Sequence, residues 1–295
     1  MTSPQKWTIK SILDWTADYL KKFNIEWPHL EGEILLSYAL GVKRIELYIQ
    51  HERVLTDPEL AKYKALILRR SKHEPIAYIV GTQPFMSLEL EVNPSVLIPR
   101  PETEKLVECV LDLAAEVSLS PGQKLKIADL CTGSGAIAVS LAKYLPQAEI
   151  TATDIADAAL TLARRNAEKF NVADRITFLQ DDLLNTQLTT YNILVSNPPY
   201  IPIAELPKLM PDVRDFEPVS ALDGGPDGLK FIHILIEKSP ALIKPGGYLV
   251  MEIGFDQKEK VLELCRTAVA GRNFKETKVV PDQFGKDRVF VGKVI

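Results

Sequence analysis

The sequence predicts an α/β protein in which a doubly wound, mostly parallel sheet follows a small helical bundle and a β-hairpin linker. Up to about residue 75, apolar residues recur at helical spacing and strand signals are absent. From about residue 102, strands alternate with helices, which is typical of a parallel sheet with helices on both faces. The first of these strands runs directly into a glycine-rich turn and a helix.

The composition indicates a globular protein, with 46% hydrophobic and 25% charged residues among 295. No run is long enough to span a bilayer, so we expect no membrane association. Three widely spaced cysteines and four scattered histidines predict neither a disulfide framework nor a metal site, and a reducing cytoplasm is the expected compartment. The net charge of −4 argues against a dedicated nucleic-acid-binding protein. Nothing indicates an obligate oligomer, so a monomer is expected.

The helical bundle is predicted for residues 1–75. A first amphipathic helix starts near Ile9 and stops at Asn24, and a second ends at Gly41. A third begins at Thr56, a capping residue that is followed by Pro58 in the first turn. Helices this short need one another's apolar faces, and none carries a visible catalytic constellation.

The β-hairpin linker is predicted for residues 76–101. Residues 87–92 alternate between polar and apolar, as a half-buried strand does, and Asn93-Pro94 ends that strand. Residues 97–101 are expected to be extended, because each proline disfavours the helical conformation of the residue before it.

The sheet domain is predicted for residues 102–295. Its strands are expected at 125–130, 149–153, 175–179, 191–196 and 247–253, with a closing pair at 276–281 and 288–294. Its helices are expected at 136–145, 158–170 and 231–243.

The turn after the first strand of this domain is the first candidate binding element. It consists of Cys131, Thr132, Gly133, Ser134 and Gly135. Such a turn allows a ligand to approach the backbone and exposes the unpaired N–H groups of the next helix. It lacks the Lys-Ser/Thr of a P-loop and has Ala138 where a dinucleotide fingerprint has its third glycine.

Acidic residues close the next two strands. Asp154 lies 19 residues after Gly135, where a carboxylate can accept hydrogen bonds from both ribose hydroxyls of an adenosine. Asp182 and its neighbour Leu183 follow the third strand, where they can contact the adenine edge. Alternatively, Asp154 and Asp182 only cap the helices that follow. A nucleoside held without phosphate-binding groups favours S-adenosylmethionine over NAD.

The fourth strand is followed by Asn197-Pro198-Pro199-Tyr200, the second candidate binding element. The Asn197 side chain and the Pro198 carbonyl can both accept hydrogen bonds from one planar –NH₂ group, and the prolines stiffen the turn. Tyr200 offers a flat ring for stacking, and Asn197 is also a candidate contact to the cofactor. Because ligands bind where the strand order of such sheets reverses, this turn and the glycine-rich turn should face each other across one crevice.

Several ordered stretches are similar to the release factor glutamine methyltransferases, the HemK/PrmC family. They are Asn197-Pro198-Pro199-Tyr200, Gly81 with Phe85, residues 97–104, Glu217-Pro218, residues 221–229, Pro245-Gly246-Gly247, residues 252–254 with Gln257, and Asp282 with Gly285, Asp287 and Arg288. The chain departs from the family at Cys131, which stands where the family usually has the first glycine of its loop. A negative φ is expected there unless the backbone is strained.

The resemblance implies a seven-stranded, Rossmann-like class I methyltransferase that uses S-adenosylmethionine and releases S-adenosylhomocysteine. The implied substrate is the amide nitrogen (N5) of the glutamine in the Gly-Gly-Gln motif of class-one peptide chain release factors, with residues 1–75 binding the release factor. Phe85, Arg100 and Glu102 are further candidate substrate contacts, although packing and hairpin anchoring explain them equally well. The alternative activity is adenine-N6 methylation of DNA or RNA, which needs a basic path for the strand.

Overall fold

A computed structural model describes residues 6–120, 122–183, 190–267 and 273–295. The helices are α1 (Ile9–Lys21), α2 (Pro28–Leu40), α3 (Arg44–Ile49), α4 (Asp57–Arg70), α5 (Ile76–Val80), α6 (Pro101–Glu116), α7 (Ala136–Tyr144), α8 (Asp157–Lys169), α9 (Pro211–Arg214), α10 (Lys230–Lys238) and α11 (Lys258–Thr267). The strands are β1 (Thr82–Phe85), β2 (Leu88–Glu91), β3 (Lys126–Leu130), β4 (Glu149–Asp154), β5 (Ile176–Gln180), β6 (Tyr191–Ser196), β7 (Ile243–Glu252), β8 (Phe274–Pro281) and β9 (Asp287–Val294). The chain divides into two compact units.

The helical unit comprises the residues up to Gly81 together with Met210–Phe216. Its helix ends follow the predicted signals: Thr56 caps α4 in a capping box, and Gly41 ends α2 in the left-handed conformation with φ +68°. The core is formed by the apolar faces of these helices around the fully buried Tyr63, whose hydroxyl donates to Gly32 C=O at 3.1 Å. The predicted helical bundle is therefore present.

The short segment Met210–Phe216 is distant in sequence from the other residues of the helical unit but packs with them. Asp212, in α9, forms an ion pair with the buried Arg70, with 2.8 Å between its Oδ2 and Nη2 of Arg70. Its Oδ1 lies 3.2 Å from Nδ1 of His73. Arg70 also pairs with Glu31. A buried guanidinium is thus neutralised by two carboxylates, one of which comes from the far part of the chain.

The second unit is built on a seven-stranded sheet in the order β5-β4-β3-β6-β7-β9-β8. The first five strands in this order are parallel, and β9 runs antiparallel to both of its neighbours. The predicted doubly wound, mostly parallel sheet is confirmed. So is the predicted neighbourhood of the first and fourth strands, because Leu130 of β3 is in register with Ser196 of β6.

The β-hairpin formed by β1 and β2 packs with the second unit. Phe85, Leu88 and Leu90 are buried in the core on one face of the sheet. The amide of Asn166, on α8, bonds the hairpin backbone twice, accepting from Glu91 N at 2.7 Å and donating to Glu91 C=O at 3.0 Å.

Several elements differ from the sequence-based expectation, which also lacks helices α3, α5 and α11. Helix α6 fills residues 101–116, for which no element was predicted. Helix α10 ends at Lys238 rather than near residue 243, because Pro240 cannot continue it. Strand β7 consequently begins at Ile243 instead of Gly247. Within the described part of the chain, no helix is long and apolar enough to cross a membrane.

Candidate active site

A cleft of about 330 Å³ lies at the carboxyl ends of β3, β4, β5 and β6. The residues after each of these strands contribute to its lining: Cys131–Ser134, Asp154–Ala156, Asp181–Leu183, and Asn197 with Pro199. The two candidate binding turns therefore border one cavity at the point where the strand order reverses, as the sequence predicts.

The glycine-rich turn adopts left-handed backbone conformations at Cys131 (φ +60°), Gly133 (φ +56°) and Gly135 (φ +79°). A Cβ at Gly135 would lie 3.0 Å from that of Ala163, so glycine also permits close packing against α8. At Gly133 a Cβ would meet no protein atom within 4 Å, which leaves open space beside the cleft. The expected negative φ at Cys131 is wrong, since this non-glycine residue keeps the conformation of a glycine.

Two carboxylates hold the glycine-rich turn. Asp129, fully buried at the end of β3, accepts from Thr132 Oγ1 at 2.6 Å and from Ala138 N at 3.1 Å. Burial raises the pKa of the Asp129 carboxyl to about 7. Asp154 accepts from Gly133 N at 2.9 Å through one oxygen and from Ala156 N at 3.0 Å through the other. Asp154 therefore fastens the turn to the residue that precedes α8, and none of the described side chains caps the N–H groups of α8 itself.

The donor set of the cleft fits an adenosyl group with a positively charged sulfonium. Each oxygen of the half-buried Asp154 has a second acceptor site after its backbone hydrogen bond, as two ribose hydroxyls require. Asp182 and Leu183 both line the cleft after β5, with Asp182 exposed and Leu183 buried. Residues 184–189, where Asp182 would cap a following helix, lie outside the described residues.

The Asn197–Tyr200 turn is held by side chains distant in sequence. Asn197 Nδ2 lies 3.2 Å from Thr103 Oγ1, and Thr103 Oγ1 lies 2.7 Å from Oε2 of Glu252. The Tyr200 hydroxyl donates to the other carboxylate oxygen, Oε1, at 3.0 Å. Burial raises the pKa of the Tyr200 phenol and that of the Glu252 carboxyl.

The backbone of this turn is supported by the segment around residues 222–228. Ile201 N donates to Leu222 C=O at 3.0 Å, and Gln257 Nε2 donates to Tyr200 C=O at 3.0 Å. A Cβ at Gly228 would lie 2.3 Å from the Tyr200 carbonyl oxygen, so only glycine fits there. These contacts give a structural reason for the Gly-rich stretch and for Gln257 noted in the sequence.

The remaining candidate residues are distributed differently. Phe85 is 1% exposed in the core and is not part of the cleft lining, a location that favours packing. Arg100 forms a 2.5 Å ion pair with the buried Glu217. Glu102 is half-buried in the first turn of α6, where its charge suits the helix dipole. Pro198 is buried, and neither it nor Tyr200 belongs to the cleft lining, in contrast to Asn197 and Pro199.

Two family models match the chain: the PrmC N-terminal domain over residues 11–81, and the methyltransferase small domain over residues 109–206. A release factor glutamine methyltransferase of Geobacter sulfurreducens is 42% identical over 99% of this chain and 98% of its own length. That of Moorella thermoacetica is 45% identical over 96% and 98%, respectively. Among solved structures, the catalytic domain of hMettl16 in complex with a 3′UTR hairpin has a TM-score of 0.55 at 17% identity, over 82% of this chain and 84% of that one. The last likeness concerns the fold alone.

Proposed function

Since the chain belongs to the release factor glutamine methyltransferase family, we propose that it methylates the amide nitrogen (N5) of the glutamine in the Gly-Gly-Gln motif of class-one peptide chain release factors. The observation that carries the proposal is the placement of two unlike turns on adjacent strands. One turn, after β3, brings glycine-rich, left-handed backbone and the Asp154 carboxylate to the edge of the cleft. The other, after β6, carries a side-chain amide and a rigid pair of prolines.

On this proposal, S-adenosylmethionine occupies the cleft. Residues 131–135 hold its amino-acid portion, Asp154 accepts from the ribose hydroxyls, and Asp182 with Leu183 contacts the adenine. When bound, it supplies a methyl group attached to an electrophilic sulfonium, and it leaves as S-adenosylhomocysteine. Carboxylates around the cleft suit a cationic ligand, whereas a phosphate group would be repelled by them.

Asn197 and Pro198 act as the receptor for the substrate amide. A carboxamide nitrogen is a poor nucleophile, because its lone pair is delocalised into the carbonyl. Positive charge develops on this nitrogen as it attacks the methyl group, and its two hydrogens become stronger donors. The Asn197 Oδ1 and Pro198 carbonyl oxygens accept those hydrogens and thereby stabilise the transition state more than the ground state. The methylated nitrogen then loses a proton to water, so no general base is required beforehand.

Tyr200 fixes the orientation of the turn in this scheme. The orientation of its ring is restricted, because its hydroxyl donates to Glu252 and its backbone carbonyl accepts from Gln257. A substrate amide aligned by a rigid surface reacts faster, since alignment removes entropy from the activation barrier.

The helical unit is proposed to bind the release factor at a site remote from the reacting glutamine. It contributes large apolar side chains to the surface, such as Trp27 at 62% and Ile49 at 73% exposure. If remote contacts position the target loop, a free Gly-Gly-Gln peptide should have a kcat/KM at least about 10²-fold below that of an intact release factor, because truncated substrates lose binding energy that serves orientation. Equal values for both would exclude a remote grip.

The activity itself is tested by incubating the protein with labelled S-adenosylmethionine and three acceptors. These are an intact release factor, the same factor with alanine in place of the motif glutamine, and adenine-containing DNA or RNA. Label on the first acceptor alone, located on the glutamine by mass spectrometry, is expected. Label on the nucleic acid instead would establish the adenine-N6 alternative.

A further inference from the structure

We propose that Thr103 and Glu252 are positioning residues that set the orientation of the Asn197 side-chain amide, so that its oxygen and not its nitrogen is offered to the substrate. The inference rests on the proposed function and deepens it. It concerns two side chains from outside the Asn197–Tyr200 turn, one in the first turn of α6 and one at the end of β7.

The argument begins at Glu252, which is 1% exposed. Its oxygens are contacted by two hydroxyl groups, Thr103 Oγ1 on Oε2 at 2.7 Å and Tyr200 OH on Oε1 at 3.0 Å. An ionised carboxylate has no hydrogen, so both hydroxyls must donate to it. In the structure each oxygen of Glu252 accepts from one hydroxyl, which is the arrangement of a carboxylate acceptor. Burial raises the pKa of this carboxyl, and the two donors and the positive charge of Arg288 act in the opposite direction.

The direction of the Thr103–Glu252 hydrogen bond fixes the direction of the one between Thr103 and Asn197. A hydroxyl group has a single hydrogen, and that of Thr103 is already given to Glu252. Toward Asn197, Thr103 Oγ1 can therefore only accept. An Asn197 amide turned by 180° would place its oxygen against the lone pairs of Oγ1, about 3.2 Å away, with no hydrogen between them.

The consequence is a defined direction for the whole chain of hydrogen bonds. Asn197 Nδ2 donates to Thr103, Thr103 donates to Glu252, and the acceptor Oδ1 of Asn197 is left for the substrate amide. The same carboxylate anchors the Tyr200 hydroxyl. One buried charge thus orients both ends of the turn that is proposed to bind the substrate.

The experiment uses Thr103→Val, which keeps the shape of the side chain but lacks the hydroxyl, and Thr103→Ser, which restores the hydroxyl. We expect Thr103→Val to lower the single-turnover rate by about tenfold, the loss of one oriented hydrogen bond, with S-adenosylmethionine Kd and release factor KM within about threefold of wild type. Thr103→Ser should recover most of the rate. Glu252→Gln provides an independent route, because its –NH₂ group can donate to Thr103 and reverse the direction of the chain; a similar fall in rate is expected.

A double-mutant cycle with Asn197→Ala separates orientation from general structural support. Without the Asn197 amide there is nothing to orient, so adding Thr103→Val should leave the rate of the Asn197→Ala variant unchanged. An additional tenfold fall in the double variant, or a Thr103→Val variant within twofold of wild type while Asn197→Ala is strongly impaired, would overturn the inference alone. If Asn197→Ala itself methylates normally, the proposed amide receptor fails as well. Should Thr103→Val not fold, Thr103→Ala, which also lacks the hydroxyl, and its cycle with Asn197→Ala decide the matter in the same way.

Discussion

The two turns that border the cleft differ in the conformational freedom of their backbones. The turn after β3 depends on conformational freedom, with three residues in the left-handed region and glycine at two of them. The turn after β6 depends on restriction, with two successive prolines and no glycine between Asn197 and Tyr200. The first is secured by carboxylates that accept from backbone N–H groups, and the second by side chains that bond to side chains.

The difference teaches that the two ligands require different parts of the protein. A ligand that approaches the backbone needs exposed N–H groups and no Cβ in the way, which favours glycine. A planar –NH₂ group needs two acceptors at fixed positions, which favours proline and a locked amide. Substitutions at the first turn should accordingly change stability and cofactor affinity, whereas substitutions at the second should change the rate of methyl transfer.

The largest expected effect concerns the carboxyl group buried under the glycine-rich turn. Burial raises the pKa of the Asp129 carboxyl from the ordinary value of 3.8 to about 7, so the folded protein retains a proton that the unfolded chain releases. The free energy of unfolding should therefore fall as pH rises from about 4 to 7, by up to about 4 kcal/mol from this group. Asp129→Asn cannot titrate and should lack this component. Urea unfolding of both proteins across that range, without cofactor, measures the difference; parallel curves would contradict it.

At the second turn, Asn197→Ala should lower the single-turnover rate by roughly 10²–10³, by analogy with the removal of one oxyanion-hole donor. Cofactor affinity should change little. Rapid quenching of a reaction with enzyme and cofactor in excess over release factor gives the rate, and calorimetry gives the Kd. A rate within a few-fold of wild type would show that the amide-receptor mechanism is incorrect.

Asp154→Ala should have the reverse signature. Hydrogen bonds from the two ribose hydroxyls to a carboxylate contribute about 1.5–3 kcal/mol each, so the loss of both should raise the Kd of S-adenosylmethionine by roughly 10²–10⁴. At saturating cofactor the turnover rate should stay within a few-fold of wild type. Unchanged affinity in a calorimetric titration would leave Asp154 only its role in holding the glycine-rich turn.

The smallest expected effect is at Cys131. A non-glycine residue in the left-handed region costs about 1–2 kcal/mol, partly offset by the extra freedom that glycine gives the unfolded chain. Cys131→Gly should therefore raise the free energy of unfolding by about 1 kcal/mol in urea titrations. Cys131→Ala is the matched control, because it removes the sulfur but retains the Cβ, and it should not stabilise the protein. Equal stability of the glycine and alanine variants would show that the backbone is not strained.

Much of this arrangement could be predicted from local patterns. Strand β3 was recognised by its apolar run, the turn after it by its glycines, and the neighbourhood of β3 and β6 by the topology of alternating strands and helices. The Asn197–Tyr200 turn is predictable because proline has a fixed φ and no N–H group in any context.

The supporting side chains could not be found in this way. Thr103 and Glu252 meet across 149 positions, and nothing in either local sequence indicates the other. Helix α6 was missed although Pro101 at its first position and Glu102 and Glu104 in its first turn are good start signals. The prolines just before it predict extended backbone up to residue 101. The conformation of Cys131 was mispredicted because the intrinsic preference of a residue yields to a turn fixed by Asp129 and Asp154.

The position of the segment Met210–Phe216 in the sequence determines when the helical unit can complete its ion pairs during synthesis. His73 and Asp212 are 139 positions apart, and the buried Arg70 forms an ion pair with the same Asp212 carboxylate. At a synthesis speed of about 5–20 residues per second, the first helices precede Asp212 from the ribosome by on the order of ten seconds. During that interval the carboxylate of Glu31 and the backbone carbonyl of Glu74 can bond the guanidinium of Arg70, but its second carboxylate is missing. The helical unit can therefore reach its final set of ion pairs only after most of the sheet strands, β1 to β6, have been translated.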